Sequence, residues 1–290
     1  MTNINTDKID KHNTEDTSKV NPLGSRVEYV SQYQPSLLFI IARKDKRDEL
    51  GIEGDPIFRG EDIWNAYEIS WLNPNGLPQV AIGEFRVPSS SPNIVESKSL
   101  KLYLSSFNQT VFENKSIVEA TIGRDLSYAV DSTVAVNLTS TDSATEHAIK
   151  RFKADCIDSA DIKIDKYDYD PGLLALDNTT LPKSVKETLC SHLLKSNCLI
   201  THQPDWASIK IEYEGQKISR NSLLKYLVSF RTHNEFHEQC VERIFLDIMR
   251  FCQPIELTVY ARYTRRGGLD INPWRSNCVN NMDNIRLSRQ

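Results

Sequence analysis

Cys198 and Asp205 stand seven residues apart in Ser196-Asn197-Cys198-Leu199-Ile200-Thr201-His202-Gln203-Pro204-Asp205. A cysteine beside an acid can add covalently to an electrophile and then protonate the adduct. The segment is polar and turn-prone, and a strand-like run follows it. Pro204 and the Ser196-Asn197 pair keep Cys198 out of a helix interior. A short loop would bring the two side chains together. Taken alone, however, a free cysteine is more often a small buried hydrophobe than a nucleophile, and spacing by itself favours that reading. Cys190 is a second candidate, in the run 185–194, which reads as a helix. His192 is two residues away and would not face it on a helix, so core packing is the expectation.

Three further segments carry polar groups of chemical interest. In Phe230-Arg231-Thr232-His233-Asn234-Glu235-Phe236-His237-Glu238 the histidines stand at i and i+4. On a helix they would share a face, as two metal ligands do. No acid directly follows the first histidine and no third ligand has convincing spacing. Helix capping by Asn234, or a His–Glu pair that binds a polar substrate, fits as well. Glu96-Ser97-Lys98-Ser99 opens an amphipathic helix that Ser97 or Ser99 could cap. Arg262-Tyr263-Thr264-Arg265-Arg266-Gly267-Gly268 follows a strand-like run. Guanidinium forks with close backbone approach suit a phosphate, although Gly-Gly suits a hairpin turn equally. The chain has no GxGxxG, so a Rossmann cofactor domain is not supported.

The elements that must position these groups are duplicated. Residues 99–107 and 222–230 are identical at six of nine positions, at an offset of 123. Both place apolar residues at i, i+3, i+4 and i+7: Leu100, Tyr103, Leu104 and Phe107, then Leu223, Tyr226, Leu227 and Phe230. A strand-like run precedes each (79–87 and 206–213). A second amphipathic helix follows each (about 112–130 and 235–252), and then a β-rich run (132–138 and 255–262). The order strand, helix, helix, strand occurs twice. The expectation is an α+β protein of two similar halves, residues 26–150 and 151–290, each an antiparallel sheet with a helix pair on one face. Residues 1–25 are polar and aperiodic and read as a disordered tail. The acid of 96–99 has no counterpart in the aligned Ser219-Arg220-Asn221-Ser222, and the His–Glu segment has none in the first half. Complementary losses of this kind suit one composite site.

Composition sets the class. The 290 residues are 39% hydrophobic and 26% charged, with a formal net charge of -4. That balance is ordinary for a soluble globular protein and argues against broad contact with nucleic acid or anionic membrane. The N-terminus lacks a basic start and apolar run, and no apolar stretch is long enough for a bilayer. Six cysteines without a CxxC pair point to free thiols in a reducing cytoplasm.

Taken together, Glu96-Ser97-Lys98-Ser99-Leu100-Lys101-Leu102-Tyr103, Ser196-Asn197-Cys198 through Asp205, Phe236-His237-Glu238 and Arg265-Arg266-Gly267-Gly268 closely resemble the NADPH-dependent 7-cyano-7-deazaguanine reductases of queuosine biosynthesis, in their long two-domain form. The resemblance runs from about Asn21-Pro22-Leu23-Gly24 to Asn272-Pro273-Trp274-Arg275. It implies two tandem tunnelling-fold modules and reduction of a nitrile to an aminomethyl group by two NADPH, in a homodimer. Cys198 matches the nucleophile and Asp205 the proton donor. His237 and Glu238 match the substrate-contacting pair, with His237 also among the catalytic residues. Glu96, flanked by Val95 and Ser97, matches the acid that holds the base. Ser97-Lys98 and Arg266-Gly267 match the NADPH contacts, and no metal is implied. Leu199 stands where the short members carry proline.

Overall fold

The computed structural model describes residues 29–142, 148–178 and 184–290. The expected tail at 1–25, and the start of the resemblance at 21–24, lie outside them. The protein is mixed α+β, rich in antiparallel strands and with few helices. Contacts divide it into two units, one of residues 1–49, 63–146 and 266–269, the other of 50–62, 147–265 and 270–290. Two short stretches, 50–62 and 266–269, each cluster with the unit that holds the other half of the chain.

In the first unit β1 (Ile40–Ala42) leads into the short helix α1 (Arg43–Asp48). Strand β2 (Arg59–Leu72), whose first four residues cluster with the second unit, and β3 (Pro78–Pro88) are joined by a turn in which the Asn73 side chain accepts from the Asn75 and Leu77 amides. β4 (Asn93–Val95) pairs antiparallel with β1. Two helices follow, α2 (Ser97–Ser105) and α3 (Lys115–Val130), and then β5 (Ala135–Thr139), which pairs antiparallel with β3. The expected run at 132–138 thus begins three residues later.

In the second unit the edge strand β6 (Asp155–Cys156) lies parallel to β7 (Ser184–Asn197). β8 (Pro204–Gln216) pairs antiparallel with β7. Helices α4 (Arg220–Ser229) and α5 (His237–Cys252) precede β9 (Glu256–Tyr263) and β10 (Leu269–Ser276), and the strand order is β10-β9-β8-β7-β6. The β6–β7 pairing departs from the wholly antiparallel sheet expected. β7 also replaces the helix expected over 185–194. Alternate residues of β8 and β9 (Ala207, Ile209, Ile211, Tyr213; Leu257, Val259, Ala261, Tyr263) form one core with Leu223, Leu227, Phe230, Val241, Ile244, Phe245 and Ile248 of the helical segments. Each large aliphatic side chain so buried contributes roughly 1.5–3 kcal/mol. α5 carries Glu238 in its first turn and Arg250 in its last, as the helix dipole favours. It ends at Gln253, in the left-handed region at φ 50°, immediately before Pro254.

The repeat extends into hydrogen bonds that the nine-residue identity does not include. Tyr103 and Tyr33 both donate to Asp125 Oδ2, at 2.7 and 2.6 Å. Tyr226 and Tyr169 both donate to Asp247 Oδ2, at 2.5 and 2.8 Å. Ser106 donates to the Tyr103 carbonyl at 2.6 Å and Ser229 to that of Tyr226 at 2.7 Å. In each unit, then, a buried tyrosine–carboxylate knot ties the first helix of the pair to the second. Burial holds the Asp247 carboxyl above its ordinary pKa despite its two phenol donors.

Candidate active site

The second unit gathers Cys198, Asp205, His237 and Glu238. Cys198 follows β7 directly, and its amide donates to the Gln203 carbonyl at 2.8 Å. His202 closes the loop by donating its amide to the Cys198 carbonyl at 3.0 Å, with φ at 55°. Ser196 lies opposite Asp205, and Asn197 opposite Pro204. Residues directly opposite in an antiparallel pair share a face, and Cys198 is two residues from Ser196. Cys198 and Asp205 are therefore diagonal neighbours on one face, a relation of roughly 7 Å in sheet geometry. Cys198 is 6% exposed and Asp205 6%.

A bulge decides which face that is. Leu189 and Leu194 both point into the core although they stand five positions apart, an odd offset. Between Ser191 and Leu194 the register shifts: β7 spends two residues, His192 and Leu193, against the single Ser208 of β8. One extra residue reverses the alternation. Without it, Ser196 and Cys198 would turn to the face away from the helices. The bulge's polar groups are met locally. Asp158 accepts from the His192 amide at 2.7 Å, and Arg289 Nη2 donates to the His192 and Ala207 carbonyls at 2.8 and 3.0 Å and to Ser208 Oγ at 3.3 Å.

His237 opens α5 and brings its Nε2 to 3.3 Å from Asp205 Oδ2. Its ring stacks on Tyr263 at 3.8 Å between centroids and 14° between planes. Its Nδ1 is buried with no hydrogen-bond partner, as suits a nitrogen that meets a ligand. Glu238 is buried beside it, 5% exposed. Lys195 Nζ donates to Asn197 Oδ1 and to the Arg231 carbonyl, at 2.5 and 2.6 Å. Its pKa is lowered by burial and by the Arg231 charge, against the opposing pull of Asp205. Two cations thus lie in the neighbourhood of the cysteine loop. Cys240 is fully buried and its thiol is pushed up by that burial, while Cys252 is pushed up to about 11 for the same reason. Both are suited to the core rather than to nucleophilic work.

The metal-ligand reading of His233 and His237 does not survive. His233 ends a short 3-10 turn (Phe230–Thr232), whereas α5 begins at His237, so the two do not share a helix. His233 pairs with Glu235 at 3.2 Å, and Glu235 takes Arg243 as a bidentate partner. Asn234 does not cap α5; Phe236 occupies that position. Among the described residues no cluster of metal-ligating atoms includes Cys198.

The first unit holds the other motifs. Glu96, not Ser97 or Ser99, caps α2: its carboxylate accepts from the Lys98 and Ser99 amides, both at 2.8 Å, and from Ser97 Oγ at 3.3 Å. Ser99 instead donates to the Glu96 carbonyl. Burial raises the Glu96 pKa in spite of those three donors. Val95 ends β4 in the core and is 6% exposed. In the repeat, Ser219 holds the equivalent capping position of α4. Arg266 and Leu269 exchange backbone hydrogen bonds across Gly267 and Gly268, whose φ values are 63° and 80°. This is the two-residue hairpin turn that Gly-Gly favours. A Cβ on Gly267 would lie 3.3 Å from Lys101 Cδ, and one on Gly268 only 2.5 Å from Glu68 Cδ. The turn therefore sits against α2 three residues past Lys98, and the two basic motifs converge within one unit.

Residues 29–138 match the family model described as "Nitrile reductase, 7-cyano-7-deazaguanine-reductase N-term", and residues 204–282 match "QueF-like protein". The NADPH-dependent 7-cyano-7-deazaguanine reductase of Chromobacterium violaceum is 54% identical over 276 residues, covering 94% of this chain and 98% of that protein. The chain belongs to the 7-cyano-7-deazaguanine reductase family. Val95 to Lys98 fall in the first matched segment of this reductase family's models, and Asp205, His237, Glu238, Arg266 and Gly267 in the second. Cys198 lies between the two. A solved archaeosine synthase QueF-Like, in apo form, is 18% identical and covers 35% of this chain and 100% of its own, with a TM-score of 0.30, a likeness too slight to add to the fold.

The site also contains residues that composition and motif did not single out. Lys195 reaches the Asn197 side chain beside Cys198, Arg289 holds the His192-Leu193 bulge through backbone carbonyls, and Tyr263 acts as a platform for His237. The one signal available was the apolar pair Leu189 and Leu194, whose odd separation breaks strand alternation.

Proposed function

We propose that this chain reduces the nitrile of 7-cyano-7-deazaguanine to an aminomethyl group at the expense of two NADPH, through a covalent thioimide on Cys198. The observation that carries this reading is the shared face of Cys198 and Asp205, with His237 held against the carboxylate. The Cys198 thiolate adds to the electrophilic nitrile carbon, forming the C–S bond and opening one C–N π bond. Asp205 delivers the proton that the nitrogen needs as charge develops there, with His237 orienting the carboxyl. Bound NADPH supplies hydride, one equivalent for the thioimide and one for the imine left after the thiol departs. Asp205 and His237 are assigned the protonation of the amine-forming nitrogen, and thiol loss returns Cys198 to its starting state.

Glu238 is assigned to the guanine-like edge, whose N–H donors a carboxylate accepts; Glu96, with Val95 and Ser97 beside it, is assigned to substrate contact. Ser97, Lys98, Arg266 and Gly267 are assigned to NADPH. The donor set suits a phosphate: Lys101, one turn of α2 beyond Lys98, lies against the turn that follows Arg266, and Gly267 has no side chain to hold a ligand off. We further infer that each unit is one tunnelling-fold module and that the chain works as a cytoplasmic homodimer acting on the free base rather than on nucleic acid. No described helix is long and apolar enough to cross a membrane. The test is stoichiometry: NADPH absorbance should fall by two equivalents per nitrile consumed. One equivalent, or consumption without nitrile, contradicts the reading.

A further inference from the structure

The face of β7 turned away from the helices carries a second cluster of reactive atoms. In a strand, residues two apart share a face, so Cys190 and His192 lie together, opposite in direction to the core residue Leu189. Cys156 of β6 stands directly across from Cys190 in the parallel pair. One ligand atom from each of Cys156, Cys190 and His192 lies within 4.8 Å of the other two. The imidazole is held in place, with Nδ1 2.8 Å from Ser208 Oγ, which also meets Arg289. Metal-binding histidines commonly have their ring fixed by such an outer contact. Nearby, the Asp158 carboxylate uses Oδ2 for the His192 amide, while its Oδ1 is buried without a hydrogen-bond partner.

Two sulfurs and an imidazole form a borderline-soft donor set suited to tetrahedral zinc.

We propose that Cys156, Cys190 and His192 bind one zinc ion, with the fourth position open to water beside Asp158. Binding releases the thiol protons and involves no electron transfer. The ion joins the two-residue edge strand β6 to β7, next to the bulge that aims Cys198. Its role is structural, because Cys198 lies on the other face of β7 and is not among the ligands.

The test uses the full-length protein, reduced and stripped with a chelator, then titrated with zinc or with cobalt as a spectroscopic probe. The expected result is one equivalent per chain, with thiolate-to-cobalt charge-transfer absorption. Cys156→Ser and His192→Ala should each weaken zinc binding on the order of 100-fold or more, beyond what loss of an outer-shell contact causes. Cys198→Ala should leave it intact. Cys156 is exposed at the sheet edge, so its variant is expected to fold, and an unchanged circular dichroism spectrum checks that. Absence of stoichiometric binding would overturn the proposal. So would binding that Cys198→Ala abolishes and Cys156→Ser spares, or a Cys156–Cys190 disulfide in protein that takes up no zinc once reduced.

Discussion

Arg289→Ala separates the bulge from the chemistry it serves. Arg289 Nη2 donates to the carbonyls of His192 and Ala207 and to Ser208 Oγ. The His192 carbonyl is exposed, so water replaces the lost donor there at little cost. Ala207 is fully buried, and its carbonyl keeps a deficit of about 1–3 kcal/mol. The net loss should be about 1–3 kcal/mol, or a Tm lower by roughly 2–8 °C for a chain of this size. The bulge fixes the alternation that puts Cys198 on the Asp205 face, so thioimide formation should slow by about 10-fold, comparable with the loss of a supporting contact. NADPH binding, whose assigned residues lie in the other unit, should not change. The assay pairs thermal denaturation with quenched mass spectrometry of the Cys198 adduct, and with KM for NADPH as the control. Arg289→Lys, which keeps a charged donor, should recover part of both losses. If Arg289→Ala lowers Tm but leaves the adduct rate at the parent value, the bulge does not depend on this pin and the reasoning fails.

Three other outcomes are expected. Burial raises the Glu96 pKa, and the base needs the carboxylate form. Affinity for 7-cyano-7-deazaguanine should therefore fall on acidification with a midpoint above 4.5, the ordinary value. Glu96→Gln should remove that dependence and cost about 1.5–3 kcal/mol of binding, read by calorimetry against pH. Arg275 is fully buried between Asp62 and Glu242, each at 2.9 Å. Arg275→Ala removes the cation between two buried carboxylates and should destabilise the protein by about 3–5 kcal/mol in urea denaturation. Arg266→Ala should raise KM for NADPH by about 10-fold with kcat little changed, since the phosphate contact is the same in ground and transition states. An unchanged KM for NADPH would refute the assignment of Arg266 to the cofactor.

Much of the fold could be read from periodicity, and the exception is instructive. Both amphipathic helices of each half lie close to where the 3.6-residue pattern puts them, because one apolar stripe per helix fixes both their type and their facing. Residues 185–194 mislead for a physical reason. Val185, Leu189 and Leu193 fall at helical spacing, while the bulge at His192-Leu193 breaks the alternation that would identify a strand. The same misreading hid Cys190 and His192, which do not face each other on a helix but do on β7. At the site, the residue types of Cys198, Asp205, His237 and Glu238 could be read, but not what positions them. Asn234 and His233 appeared to belong to a helix that begins only at His237, and the cap of α2 fell to the acid rather than to either serine. The repeated tyrosine–carboxylate knots were invisible because Tyr33 and Tyr169 reach their partners from outside the aligned segments.

The central claim is that Cys198 forms a covalent bond to the nitrile carbon. Intact-protein mass spectrometry after incubation with 7-cyano-7-deazaguanine, without NADPH, tests it most directly. The account predicts a mass increase of one substrate molecule per chain, mapped to Cys198, absent in Cys198→Ala and discharged on adding NADPH. An unmodified protein, or an adduct that persists in Cys198→Ala, would contradict it.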